Sequence, residues 1–597
     1  MKQFFKIVFA SMLGFGATIF LAVIIVIGII AAATGGDKDE KNLEVKENSV
    51  LHLDFSGGLV DRGSDNPLET FDLNTMQSNK KLSLKQVLDN LEKAKSDENI
   101  AGAFLDLKGV SMNMANLDEV RGGLEDFKNS GKWIIAYGQN VSQGTYYLAS
   151  VADQIYVYPE GGVEFNGLMS EVMFFKGMLE KLEVEVQIIR GKNNKFKSAV
   201  EPFMYDKMSD PNREQLNKLL STVWDNWTEK IAISRGITVE SLNEYADSLR
   251  SFDPANAIAY KLIDGLLFGD QVLDSIRARV GVKNNDDIKF ISLRKYTKAP
   301  KKYEDGAPKP WELKDKIAII YGAGEIRSGS SDQQTMGSKT IVTAIRAARE
   351  DSSIKAIVFR VNSPGGSALA SDVMWRETQL AKAAKPFVIS MGGLAASGGY
   401  YVSAGADRIF AGANTITGSI GVFGMIPNAK KMLNNKLGLT FDRVQTNANS
   451  DMGILTQPLT PFQYGKIQQS VEKVYDTFLG HVSEGRNMTK EEVDAIGQGR
   501  VWTGEDALEL GLVDELGGLN DAIAYAAEQA GLTNYRIKSF PEKKDVIQEF
   551  IKEITGESSN IFMRWKMGDF YSYYQTVERL TNSERIQARI PFDIEIR

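Results

Sequence analysis

Short runs of β-branched and apolar residues alternate with longer runs of helical spacing along most of this 597-residue chain. Ile317-Ala318-Ile319-Ile320-Tyr321, the run from Ala356 to Val361 and the run from Pro386 to Met391 are almost continuously apolar, the pattern of strands buried on both faces. Between the last two, Ala368 to Ala384 carries good helix formers at helical spacing. The same succession occurs earlier, with Ala101 to Leu107, the helix-like Leu117 to Lys128, and Trp133 to Tyr137. Strand, helix, strand in this order predicts right-handed crossovers and an α/β fold with largely parallel sheets.

The two successions are copies. Residues 99–168 slide onto 353–422 at a constant spacing of 254, so that Ile100 meets Ile354, Gly144 meets Gly398, Tyr146-Tyr147 meet Tyr400-Tyr401, Asp153 meets Asp407 and Gly167 meets Gly421. Leu262-Ile263-Asp264-Gly265-Leu266 echoes Leu512-Val513-Asp514-Glu515-Leu516 at a spacing of 250. The predicted organisation is therefore a tandem duplication, with repeats at 49–291 and 316–537 joined by a Lys- and Pro-rich linker at 292–315. Residues 538–597 match nothing in the first copy. Their apolar positions Val546, Ile547, Phe550, Ile551 and Ile554 suggest an amphipathic helix in this tail.

The copies differ where each would carry a reactive group. Ser397, in Ala395-Ala396-Ser397-Gly398-Gly399, falls on Gln143 of the first copy, and Lys197, in Lys195-Phe196-Lys197-Ser198-Ala199, falls on Asp451 of the second. A complementary exchange of this kind points to one site divided between the halves.

The N-terminus adds a membrane expectation. No charge occurs from Ile7 to Ala33, a stretch of 27 residues, and about 20 apolar residues suffice to cross a bilayer as a helix. A removable leader ending at Ala31-Ala32-Ala33 is the rival reading, but leaders carry apolar regions of only about 7–15 residues. Lys2 and Lys6 precede the segment, while Asp37, Asp39 and Glu40 follow it. The expectation is a cytoplasmic N-terminus at 1–6, a transmembrane helix at 7–33, a solvated tether at 34–48, and the bulk of the chain on the periplasmic or outer side of a bacterial inner membrane.

Composition narrows the chemistry. The chain has no cysteine, which removes thiol catalysis and thiolate metal sites, and only two histidines, His52 and His481. His52 lies in a strand-like run and His481 in a helix-like one, so a Ser-His-Asp arrangement or a multi-histidine zinc site has almost nothing to be built from. Neither a zinc-protease nor a phosphate-loop motif is present, and no cofactor is expected. The net charge of −7 gives no footprint for nucleic acid.

Two glycine-rich turns remain, Asn362-Ser363-Pro364-Gly365-Gly366-Ser367 and Leu394 to Tyr400. Each follows a buried strand and opens a helix, leaving outward-pointing N–H groups suited to an oxyanion. Together, in consecutive strand–helix units, they fit a serine nucleophile beside an oxyanion hole. With histidine effectively absent, the base for that serine must be a lysine, which requires burial to depress an ordinary pKa of about 10.4 by several units.

These two strings, with Thr417-Gly418-Ser419-Ile420-Gly421-Val422 and Lys197-Ser198-Ala199-Val200-Glu201-Pro202-Phe203, resemble the long, duplicated signal peptide peptidases of serine peptidase family S49. The likeness spans roughly 49–537. It implies a ClpP/crotonase-like fold in each repeat, a Ser/Lys dyad, hydrolysis of signal peptides after their release from preproteins, and a membrane-anchored homo-oligomer, a tetramer for the long form. By match of motif Ser397 would be the nucleophile, Lys197 the general base, and Ser419 the hydroxyl orienting the lysine. Gly398 and Gly366 would supply the oxyanion amides, with Gly365 the weaker candidate for the second. The tail beyond about 538 is longer than the resemblance leads one to expect. Two rival functions keep the fold: crotonase-like acyl-CoA chemistry, and an inactive scaffold or chaperone-like oligomer.

Overall fold

The alternation of apolar side chains along Lys316–Ala323, Ile354–Ser363 and Phe387–Ala396 decides how the second half packs. Ile317, Ile319, Val358 and Val388 face the helix Leu519–Gln529, while Ala318, Ile320, Ile357, Phe359 and Ile389 face the helices Ser338–Glu350 and Ala368–Lys382. Both faces are covered by helices, so nearly every position in these strands is apolar. The structure, a computed structural model, describes residues 44–63, 81–301, 312–332, 334–542 and 586–590, together with isolated residues within 3–18 and the pairs 71–72, 77–78 and 308–309.

In the first half, Gly265–Leu266, Gln154–Val163, Trp133–Val141, Ile100–Asp106, Ser49–Asp54 and Phe290–Ser292 lie side by side in that order, every neighbouring pair parallel. In the second the order is Val501–Thr503, Ile416–Gly418, Phe387–Ala396, Ile354–Ser363, Lys316–Ala323 and Arg536–Phe540, and only the pair formed by Val501–Thr503 and Ile416–Gly418 is antiparallel. The fold is thus two α/β units with largely parallel sheets. The duplication extends to single hydrogen bonds. Tyr146 and Tyr400 donate to the carbonyls of Leu262 and Leu512, each at 2.8 Å, and Ile155 and Ile409 donate to the carboxylates of Asp264 and Asp514, again each at 2.8 Å.

Of the expected linker 292–315, the residues through Ala299 belong to the first core: Phe290–Ser292 completes its sheet, and the helix Leu293–Lys298 buries Leu293 and Tyr296. The apolar segment 7–33 lies for the most part outside the described residues, and among the described residues no helix is long and apolar enough to cross a membrane. The helix expected around 546–554 also lies outside them.

The halves interlock in two ways. A third sheet places Thr335–Gly337, Glu325–Arg327, Gly365–Ser367, Ile586–Arg589, Phe423–Asn428 and Glu185–Arg190 in that order, so a strand of the first half closes a layer of the second. Arg360, on a central strand of the second half, is buried against the first. Its guanidinium donates to Asp61 at 2.9 Å, to Glu119 at 2.7 Å and to Asn116 at 3.1 Å.

Candidate active site

Strand Phe387–Ala396 ends at Ser397, whose backbone turns sharply (φ 56°, ψ −112°) into the helix Gly398–Ser403. A non-glycine residue at positive φ carries strain of roughly 1–3 kcal/mol, tolerated where the surroundings over-determine it. Here the Ser397 N–H donates to the Gly418 carbonyl at 2.8 Å, and its own carbonyl accepts from Tyr401 N–H at 2.8 Å, so the turn is clamped from both sides. The turn places the Ser397 hydroxyl at the carboxyl end of its strand.

Lys197 reaches this hydroxyl from a loop of the first half. Its Nζ lies 2.8 Å from Ser397 Oγ, 3.0 Å from the Ser419 carbonyl oxygen and 3.0 Å from Ser419 Oγ. All three side chains have no solvent exposure. Burial, with no charged partner to offset it, holds the Lys197 amine well below its ordinary pKa. Its neighbours Lys192 and Lys195 are exposed, so one loop presents two solvated lysines and one sealed one.

The lysine loop is held by buried amides and a buried carboxylate that sequence reasoning did not single out. Gln215 donates to the Phe196 carbonyl at 3.0 Å and accepts from Val501 N–H at 3.3 Å. Ser198 donates to Asn212 at 2.8 Å, and the Glu201 carboxylate accepts from Ser209 Oγ at 2.6 Å and from Asn212 at 3.1 Å. The only signal of this network in the sequence is polar residues at Ser209, Asn212 and Gln215, spaced along the first turns of the helix Asp210–Arg235.

The two glycine turns meet beside Ser397. Gly365 has φ 92°, and the position a Cβ would take on it lies 2.7 Å from the Gly398 nitrogen, so only glycine lets these backbones approach. The Gly398 N–H lies in the first turn of its helix, where no intrahelical acceptor exists. Gly366 sits in the strand Gly365–Ser367 with φ 153°.

At the matching turn of the first half, the Gln143 side chain accepts from Asn166 N–H at 3.1 Å and Gly167 N–H at 3.0 Å and donates to the Gly167 carbonyl at 3.0 Å. The amide fills the place where a hydroxyl stands in the other half and satisfies the backbone around it. Asp451, the register partner of Lys197, pairs with Gln463 at 3.0 Å and Arg443 at 3.6 Å. His52 pairs with Asp106 and His481 with Asp372, and neither histidine hydrogen-bonds to Ser397 or Lys197. Among the described residues no group of His, Asp and Glu gathers that could hold a metal ion.

A strained serine at a strand–helix turn, a buried amine against its hydroxyl and glycine amides beside it define a serine hydrolase in a duplicated α/β frame. The model of peptidase family S49 matches this chain twice, at residues 126–283 and 379–533, one match in each half, and the chain belongs to that family. It is similar to Protease 4 of Salmonella typhi, with 36% identity over 533 residues covering 86% of this chain and 84% of that protein. Protease 4 of Haemophilus influenzae is 36% identical over 85% of this chain and 82% of its own. A serine protease named SPPA, chloroplastic, of Arabidopsis thaliana is 30% identical over 92% of this chain and 78% of its own. Among solved structures, a ClpP1 mutant chain of Listeria monocytogenes aligns with 34% of this chain and 94% of its own at 13% identity and a TM-score of 0.24. The chain is a serine peptidase.

Proposed function

We propose that this peptidase works through a dyad of Ser397 and Lys197, and that it is a membrane-anchored endopeptidase degrading released signal peptides and other extended hydrophobic peptides. The observation that carries the dyad is the buried Lys197 amine at 2.8 Å from Ser397 Oγ. The proton arrangement follows from the acceptors. Ser419 donates its own hydroxyl hydrogen to the Gly499 carbonyl at 3.2 Å, so its oxygen is left to accept from Lys197. The Ser419 carbonyl can only accept. A neutral amine has two N–H groups, and both are engaged by Ser419. Its lone pair is therefore turned toward the Ser397 hydroxyl, ready to take that proton as the oxygen attacks a peptide carbonyl. The amides of Gly366 and Gly398 stabilise the resulting oxyanion, and the lysine returns the proton to the departing amine. No cofactor enters these steps.

The membrane reading rests on the 27 uncharged residues from Ile7 to Ala33, flanked by Lys2 and Lys6 on one side and by Asp37, Asp39 and Glu40 on the other. It puts the site on the outer face of the bacterial inner membrane, where released signal peptides are left. Exposed Met169, Met173 and Val444 support assembly with further copies, a tetramer being the form expected. The test is the full-length chain in detergent micelles, assayed on a fluorogenic hydrophobic peptide beside Ser397→Ala and Lys197→Ala. Each variant should lose at least about 10³-fold in turnover while keeping the oligomer, and a rate retained in Lys197→Ala would remove the base from the mechanism.

A further inference from the structure

The helices Asp210–Arg235 and Pro461–Arg486 are both 26 residues long and occupy matching places in the two repeats. Each packs a ring, Trp227 or Phe478, against the matching tyrosine, Tyr147 or Tyr401. Counted from the helix start, Gln215 is buried at the position where the second helix carries the exposed Lys466. An amide needed only to seat the helix would stand in both copies. This one stands only in the half that has a buried lysine to hold.

Gln215 joins the two segments that hold the site. Its amide nitrogen donates to the Phe196 carbonyl at 3.0 Å and to Ser198 Oγ at 2.8 Å, on either side of Lys197, and to Asn212 at 3.1 Å. Its oxygen accepts from Val501 N–H at 3.3 Å. Val501 pairs with Gly418, whose carbonyl holds the Ser397 N–H, and the preceding carbonyl, that of Arg500, accepts from Ser419 N–H at 2.6 Å. One side chain of the first half therefore spans from the lysine loop to the strand that fixes both serines. Arg500 clasps the same two segments from outside, its guanidinium 4.6 Å from the centre of the Phe196 ring and 2.9 Å from Glu214.

We infer that Gln215 is a positioning residue of the dyad, fixing the depth at which Lys197 sits against Ser397 and keeping water from the amine. The inference rests on the dyad reading. The polar atoms of Gln215 meet the lysine loop, Asn212 and Val501, so it acts on the base rather than on bound peptide. Of the charged residues on the elements around the amine, Lys192 and Lys195 are exposed, Glu201 is held by Ser209 and Asn212, and Arg500 pairs with Glu214. None of them offsets the burial that keeps the amine neutral. A loosened loop admits water, which favours the charged amine, and raises the pH at which Lys197 is free to take the Ser397 proton.

Profiles of kcat and KM against pH test this, measured on a fluorogenic hydrophobic peptide with the full-length wild type, Gln215→Met, Lys466→Met and Lys197→Ala in detergent micelles. Gln215→Met keeps the length of the side chain and removes its hydrogen bonds. Its rising limb in kcat should move to the alkaline side by about one pH unit or more, so that kcat falls about 10-fold below the limb and recovers above it, with KM within about twofold of wild type. Lys466→Met, the same change in the matching helix, should leave the limb in place. Loss of folded protein alone lowers kcat by one factor at every pH. That result in Gln215→Met, or an unchanged profile, overturns the positioning role. Should Gln215→Met fail to fold by circular dichroism, Gln215→Asn, an amide one methylene too short to span from Phe196 to Val501, is read by the same criteria. A limb that persists in Lys197→Ala overturns the dyad itself, so failure of the base and failure of the residue that holds it give different results.

Discussion

Gly499 is packed onto Lys197 so closely that a Cβ on the glycine would stand 2.4 Å from the lysine's Cβ and 2.6 Å from its backbone nitrogen. The glycine has φ 84°, its N–H donates to the Ile420 carbonyl at 2.8 Å, and its carbonyl receives the Ser419 hydroxyl. One residue therefore sets both the backbone of the base and the group that orients it. Gly499→Ala should keep the fold, as read by circular dichroism, and lose about 10²-fold in kcat/KM, the scale of loss for a displacement near 1 Å at a reacting group. Wild-type turnover in this variant would mean that the lysine is not held where its chemistry requires.

The buried amine makes a statement about stability as well as rate. Burial holds the folded pKa of Lys197 well below its ordinary value, which the unfolded chain retains. Between those two values the unfolded chain binds a proton that the folded one does not, so stability rises with pH across the window. It falls as pH drops toward the folded pKa and levels off below it, with a slope of at most about 1.4 kcal/mol per pH unit. Lys197→Met keeps the length and apolar stem and removes the titration. Its melting temperature relative to wild type should be highest at low pH and should lose that advantage toward pH 10. A constant difference from pH 6 to 10 would place the amine in water.

Arg360 ties the two halves through Asp61, Glu119 and Asn116, and Asn414 adds a second link, donating to Asp118 at 2.8 Å. Burial works against the guanidinium charge, and Glu119 and Asp61 more than offset it, holding Arg360 above its ordinary pKa. Truncating one member of such a cluster leaves the carboxylates buried and unpaired, at a cost of roughly 3–5 kcal/mol. Arg360→Ala should show a loss of that size in denaturant unfolding and an earlier separate transition of one half. An unchanged single transition would mean that the halves are held together by apolar packing alone.

The central strands and the repeat were legible because the parallel sheet buries both faces and leaves continuous apolar runs, as in Ile354–Ser363. Ser397 and Lys197 stood out because each copy lacks what the other keeps, and the structure brings them together with Ser419 across 200 residues of chain. What was not legible depends on distant backbones. Gly499 looks like any turn glycine until Lys197 is placed against it. Asn212 and Gln215 look like surface residues of a helix until the loop at Phe196 and Ser198 folds over them. The strand at 586–590 was hidden most thoroughly, because five residues of mixed polarity carry no periodic signal, and their partners, Gly365–Ser367 and Phe423–Gly424, lie more than 160 residues earlier.

Gln143 tests whether the duplicated half could regain a site of its own. Its side chain is fixed by two N–H groups and a carbonyl of the Asn166-Gly167 turn, and the position matching Lys197 is the carboxylate Asp451. Gln143→Ser restores the hydroxyl without restoring a base, and it removes the acceptor from two backbone N–H groups. Leaving such groups unsatisfied costs about 1–3 kcal/mol. The expected result is a lower melting temperature with turnover of the intact enzyme within about twofold of wild type, since Ser397 and Lys197 are untouched. Combined with Ser397→Ala it should give no activity on a fluorogenic peptide and no label from a fluorophosphonate. Labelling at position 143 in that double variant would show that the first half can activate a hydroxyl without the buried lysine.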